Sequence, residues 1–238
     1  MLLLALACTK TPADDTSETD TTPAPGVEVV TLTTRDDVTI VADHWASSGS
    51  DRPAVVLVHM NPSGPWNRTN WPASFVQGMV DNDWAVIAPD RRGAGDSGGV
   101  AEDAYGTVKG SYDIEACVTH LQTAGFSELF IVSASNGTTS TWDYMGAADT
   151  EGWPQVAGSV LLSVVGQTTN NTDLDGIPEL PIHFAYPAFE ADNNTRFIDA
   201  NPGTWTFQEY DPGEHGTKMF ANTPELEGDV ISWISGQL

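Results

Sequence analysis

The sequence predicts an α/β fold, a mostly parallel eight-stranded sheet with helices on both faces. Two observations carry this. Two strand-like runs come first, and strand-like and helix-like patterns then alternate to the end of the chain, the order that builds a parallel sheet covered on both sides. The 238 residues, 40% of them hydrophobic, suffice for one sizeable core and contain no internal repeat.

In chain order, "VEVVTLTT", "VTIVADHW", "AVVLVHM", "WAVIAPD", "ELFIVSA", "VAGSVLLSVV", "LPIHFAYP" and "TWTFQEY" read as strands. The clearest helical patterns between and after them are "PASFVQGMVDND", "SYDIEACVTHLQTAG", "TTSTWDYMGAA" and "TPELEGDVISWISGQL". The second places Ile114, Cys117, Val118 and Leu121 on one face. The last does the same with Leu226, Val230, Trp233 and Ile234.

Residues 27–238 therefore form the folded domain, and what precedes them is different in kind. Residues 1–8, "MLLLALAC", resemble a bacterial lipoprotein signal in which Cys8 becomes the lipidated residue, and are too short to span a bilayer. Residues 9–26, "TKTPADDTSETDTTPAPG", hold nothing to bury and read as a disordered acidic Thr/Pro tether. The expected location is the bacterial cell envelope, lipid-anchored or secreted, with membrane contact only through Cys8. Only Cys117 then remains, so no disulfide framework exists and that thiol belongs to the core. A formal charge of −24, from 33 acidic against 9 basic residues, excludes nucleic acid as a partner.

In sheets of this kind the ligand site forms beyond the carboxyl ends of the strands. Four of those ends carry suggestive residues: His59, Met60 and Asn61 after the third strand, Ser135 after the fifth, Glu190 and Asp192 after the seventh, and His215 after the eighth. "SASNG" sets Ser135 between Ser133 and Gly137, a variant of the Gly-x-Ser-x-Gly turn from strand to helix. Small flanking residues are needed there because the turn holds the serine in a strained conformation that large neighbours would obstruct. The backbone N–H of Asn136, at the helix start, points toward the place where an acyl oxyanion forms. Serine, acid and histidine follow one another in the order this architecture uses for its triad.

With "SASNG", "VVLVHMNPSGPW", "VIAPDRRGAGDSGG" and "DPGEHGTKMF" in place, the chain resembles the α/β-hydrolase superfamily, its small esterase and dienelactone-hydrolase-like members in particular, over nearly all of residues 27–238. The resemblance implies an α/β-hydrolase fold and a serine hydrolase that cleaves carboxylic esters, with amides behind them, on a small-molecule or acyl-bearing substrate. It assigns Ser135 as nucleophile, His215 as general base and Glu190 or Asp192 as the acid, Glu190 preferred. It assigns the oxyanion donors to Asn136 and to Met60 or Asn61, and requires neither metal nor organic cofactor. Met60 stands where most relatives carry glycine. "HMNP" is also similar to a halide-binding loop of haloalkane dehalogenases, but those enzymes carry aspartate in place of Ser135.

Several residues are open to a plainer reading. His59 is expected to order the oxyanion loop, and His44, His120 and His183 to be hydrogen-bonded scaffold residues. Asp90 and Arg91 to Ser97 are expected to fix a turn beside the site. Trp66 and Trp71 either wall a substrate pocket or pack on the first helix. Asn171, Asp173, Asp175 and Gly176 match the start of a calcium loop but lack its twelfth-position glutamate, leaving a looser calcium turn or a solvated acidic one. Residues 166–179 are too few for a full cap domain, so an open site is expected. The rival function is a non-catalytic binding protein of the same fold, for carbohydrate, lipid or calcium.

Overall fold

A computed structural model describes residues 26–164 and 179–238. Cys8, expected to carry a lipid, the expected tether up to residue 25, the candidate calcium turn at Asn171 to Gly176 and nearly all of residues 166–179, expected to leave no room for a cap, lie outside the described residues. Eight strands form one open sheet: β1 (Val27–Thr33), β2 (Thr39–Trp45), β3 (Ala54–Val58), β4 (Ala85–Pro89), β5 (Leu129–Ala134), β6 (Gly158–Leu162), β7 (Ile182–Pro187) and β8 (Trp205–Tyr210). Each falls on one of the eight runs named above. The spatial order is β1-β2-β4-β3-β5-β6-β7-β8. β1 pairs antiparallel with β2 and β2 with β4, whereas every pairing from β4 to β8 is parallel.

The helices are α1 (Ala73–Asp81), α2 (Asp103–Gly106), α3 (Gly110–Thr123), α4 (Asn136–Glu151), α5 (Ala191–Asp199), α6 (Met219–Asn222) and α7 (Leu226–Ser235). Among the described residues none is long and apolar enough to cross a membrane. The sheet has a core on each face, and the pleat decides which residue enters which. From β3, Ala54, Val56 and Val58 pack toward α3, α4 and α5, while Val55 and Leu57 pack toward α1, α6 and α7. Ile114, Cys117, Val118 and Leu121 all enter the first core; Leu226, Val230 and Ile234 enter the second, with Trp233 packed at its border.

Three of these helices escape the periodic reading, each for a local reason. α2 and α6 are four residues long, shorter than any pattern can register. α5 is nearly all polar and buries only Asn194 and Phe197, so it leans on one aromatic anchor rather than on an apolar stripe. That anchor is well held: Phe197 packs against Trp142 of α4 and Phe184 of β7 at ring separations of 5.1 and 5.0 Å.

Candidate active site

The site begins where β5 turns into α4. Ser135 sits at that junction with φ 50° and ψ −123°, in the positive-φ half of conformational space that a residue with a side chain enters only when its surroundings hold it there. The hold is visible. Its N–H donates to Leu162 O at 2.8 Å, and its C=O accepts from the N–H of Thr138 at 2.9 Å. Gly137 is required by contact rather than by torsion: a Cβ there would lie 2.6 Å from Val58 O and 2.7 Å from His59 O. Ser133, at the other small position, is fully buried, and its hydroxyl finds no partner among the described residues.

Three side chains meet above this turn. Ser135 Oγ is 2.5 Å from His215 Nε2, and His215 Nδ1 is 2.5 Å from Glu190 Oε1, across 80 and 25 positions of chain. With Nδ1–H donating to the carboxylate, Nε2 carries the lone pair that faces the serine hydroxyl. Glu190 closes a single 3₁₀ turn directly after β7 and is 9% exposed, whereas the imidazole is 36% exposed. The alternative acid, Asp192, does not join them. It is exposed on the first turn of α5 and makes no hydrogen bond to His215 among the described residues, because the helix that starts at Ala191 carries its side chain to the surface.

The histidine loop is fixed from below by a residue the sequence reading passed over. Ser163, after β6, has φ 53°, and its hydroxyl accepts the N–H of Gly216 at 2.8 Å. Gly216 in turn leaves room for Met60. A Cβ on Gly216 would approach the Met60 Sδ to 2.9 Å, and Thr217 Oγ1 donates to that sulfur at 3.1 Å. The Met60 side chain thus lies packed against the loop of the general-base candidate.

Facing the start of α4 is the loop after β3, with the second oxyanion candidates. His59 is fully buried and orders that loop: its Nε2 accepts the N–H of Arg91 at 2.9 Å, so Nδ1 carries the proton and donates to Met60 O at 3.0 Å. Burial pulls its pKa down to about 3, with the Arg91 cation adding to the effect, so the ring is neutral and this tautomer persists at ordinary pH. Met60 is buried and Asn61 exposed. Asn136 is half-buried, with its side-chain Oδ1 accepting from Arg91 Nη1 at 2.9 Å.

The turn after β4 is built from its own hydrogen bonds. Asp90 accepts from the backbone of Arg68 and Asp96, each at 2.8 Å, and pairs with the Arg68 guanidinium. Ser97 Oγ donates to Asp90 O and accepts from Val41 N–H, tying the turn to β2. Gly95, with φ +51°, passes so close to Asp90 that a Cβ would lie 2.0 Å from its carboxylate. Trp71 takes the packing alternative: it is 5% exposed and lies against Phe75 of α1 and Phe220 of α6. Trp66 is half-buried, with the Lys218 ammonium 5.6 Å from its ring centre. His44 and His120 meet edge to face, and His183 bonds Thr206. Among the described residues no group of three His, Cys, Asp or Glu could hold a metal ion.

No protein-family model matches the sequence, and no curated protein matches it either. Solved structures do. An esterase of Pyrococcus furiosus superposes with a TM-score of 0.69 at 14% identity, covering 87% of this chain and 89% of its own. An esterase from Rhodococcus sp. gives 0.65 at 15% identity, covering 88% and 99%. An epoxide hydrolase from Vigna radiata gives 0.66 at 12% identity, covering 89% and 99%. Strand order, the strained turn at Ser135 and these superpositions agree: the chain has the α/β-hydrolase fold.

Proposed function

We propose that the chain is a serine hydrolase that cleaves carboxylic esters, with amides a secondary class, through an acyl-enzyme on Ser135. The observation that carries this is the unbroken line from Ser135 Oγ through the His215 ring to Glu190 Oε1, with both contacts at 2.5 Å. Esterases among the superposing structures support the same class. In the first step Ser135 Oγ bonds to the carbonyl carbon as its proton passes to His215 Nε2. Glu190 keeps the ring in the tautomer that can accept it and stabilises the imidazolium. The negative charge reaching the carbonyl oxygen is met by the backbone N–H of Asn136 and by that of Met60 or Asn61. Collapse expels the alcohol with the proton from Nε2, and water then repeats the sequence on the acyl-serine.

The location proposed with this function is the bacterial cell envelope, with the domain tethered through an acylated Cys8. Mass spectrometry of the mature N-terminus from a bacterial host should find that residue lipidated; an unmodified Met1 sinks the proposal. The hydrolase reading is tested with a fluorophosphonate probe. The wild-type chain should label at Ser135 and Ser135→Ala should not. An unlabelled wild type that turns over no p-nitrophenyl ester would instead favour a binding protein of the same fold.

A further inference from the structure

Arg91 is buried completely, and among the described residues its guanidinium makes no ion pair. Its neighbour shows the usual solution: Arg92 pairs with Asp113 at 2.9 Å and with Asp36 at 2.8 Å. A buried cation without a carboxylate is costly to desolvate, so its polar contacts indicate what it is kept for. Apart from Ala104 O on α2, they fall on the β3 loop and on α4, the two walls of the oxyanion site. Nη1 lies 3.0 Å from Met60 O, 2.9 Å from Asn136 Oδ1 and 3.4 Å from His59 O. Nη2 donates to Ala104 O at 2.8 Å and to Ser140 Oγ at 2.7 Å, the latter one turn along α4 from Asn136.

We infer that Arg91 is a positioning residue for the oxyanion site, orienting its backbone donors on the β3 loop and fixing that loop's distance from the start of α4. The inference rests on the serine hydrolase reading above. Because a trans peptide is planar, its N–H points opposite to its C=O. A guanidinium nitrogen holding Met60 O therefore aims the N–H of Asn61 away from itself, and its longer contact to His59 O does the same for the N–H of Met60. A cation on a carbonyl oxygen also polarises the peptide and strengthens the donor at its other end. The same nitrogen holds the Asn136 side chain, so one rigid planar group sets the separation of both walls. Lysine cannot reproduce this, since an ammonium is a point with three donors and no fixed fork.

The experiment uses the full chain and three proteins: wild type, Arg91→Lys and Ser140→Ala, which removes one anchor of the guanidinium with little loss of volume. Each is assayed for kcat and KM on p-nitrophenyl butyrate and for inhibition by phenylboronic acid, whose boron takes the serine oxygen and becomes a tetrahedral anion. Thermal melting is recorded alongside. Arg91→Lys should lose about 10²-fold in kcat with KM nearly unchanged, and its boronate affinity should fall by a similar factor. Ser140→Ala should move both in the same direction by about 3- to 10-fold while melting far above the assay temperature. A purely structural arginine would lower the melting temperature and leave boronate affinity in step with KM. Unchanged kcat and boronate affinity in folded Arg91→Lys, or in Ser140→Ala should the lysine variant not fold, would overturn the inference alone. A wild type inert to both ester and boronate removes the hydrolase reading and this inference with it.

Discussion

Replacing Gly137 with alanine perturbs the candidate site without altering any side chain that meets substrate. Its Cβ would stand 2.6 and 2.7 Å from the carbonyl oxygens of Val58 and His59, where ordinary contact begins at 3.4 Å. Those oxygens are main chain at the end of β3 and cannot swing aside, so α4 and the loop must part by about 0.8 Å, a displacement that costs of order 10²-fold when it separates reacting groups. The residue is helical, and alanine is favoured over glycine in helices by about 1 kcal/mol, which offsets part of an overpacking cost of about 1–3 kcal/mol. Gly137→Ala should therefore stay folded at 25 °C while kcat for p-nitrophenyl butyrate drops by about two orders of magnitude and KM changes little. Steady-state kinetics beside a thermal melt decide the matter. A folded variant that keeps kcat within about threefold of wild type would show that the spacing of helix start and loop does not govern the chemistry.

Two further predictions concern the acid and a buried histidine. Glu190→Gln should lower kcat by about 10³-fold or more, and Asp192→Asn by less than twofold or so, because only Glu190 reaches the ring; equal losses in the two variants would reopen the assignment. His183 is held neutral by burial, its pKa pulled down to about 4. Below pH 6.5 the unfolded chain therefore takes up a proton that the folded chain refuses, and stability is lost as pH falls toward 4. Urea unfolding of wild type between pH 6 and 4.5 should show a slope steeper than that of His183→Gln by up to about 1.4 kcal/mol per pH unit. Parallel slopes would count against a neutral buried ring.

What could be read from the residues alone was what lies along the chain. The inner strands β3 to β7 announce themselves by short apolar runs and β1, β2 and β8 by mixed apolar and polar runs, and the site candidates could be located because the fold gathers strand ends at one edge. Ser135 and His215 each follow their strands closely, so the reading reached them directly. Between Glu190 and Asp192 the residues give only a narrow preference for Glu190, since both follow β7 within five residues and the 3₁₀ turn before α5 decides which faces the ring. Arg91 escaped notice as anything but a turn residue. Its one outward sign is a pair of adjacent arginines in a chain with nine basic residues; that one is paired with acids and the other wholly buried is a fact of packing. The fit of Met60 to Gly216 is equally invisible, because it links a side chain in one loop to the lack of one in another far along the chain.

The nucleophile, acid and base candidates follow β5, β7 and β8, and the last of these strands forms an edge of the sheet. A nascent chain emerging from the ribosome thus exposes its serine long before the imidazole proposed to activate it exists. On the proposed mechanism, a polypeptide stopped short of residue 205 would hold hydroxyl and carboxylate but remain inert, harmless to esters in its own cell. Turnover by the proposed triad would then report that the final strand has docked, which would make a simple chromogenic assay a gauge of complete maturation.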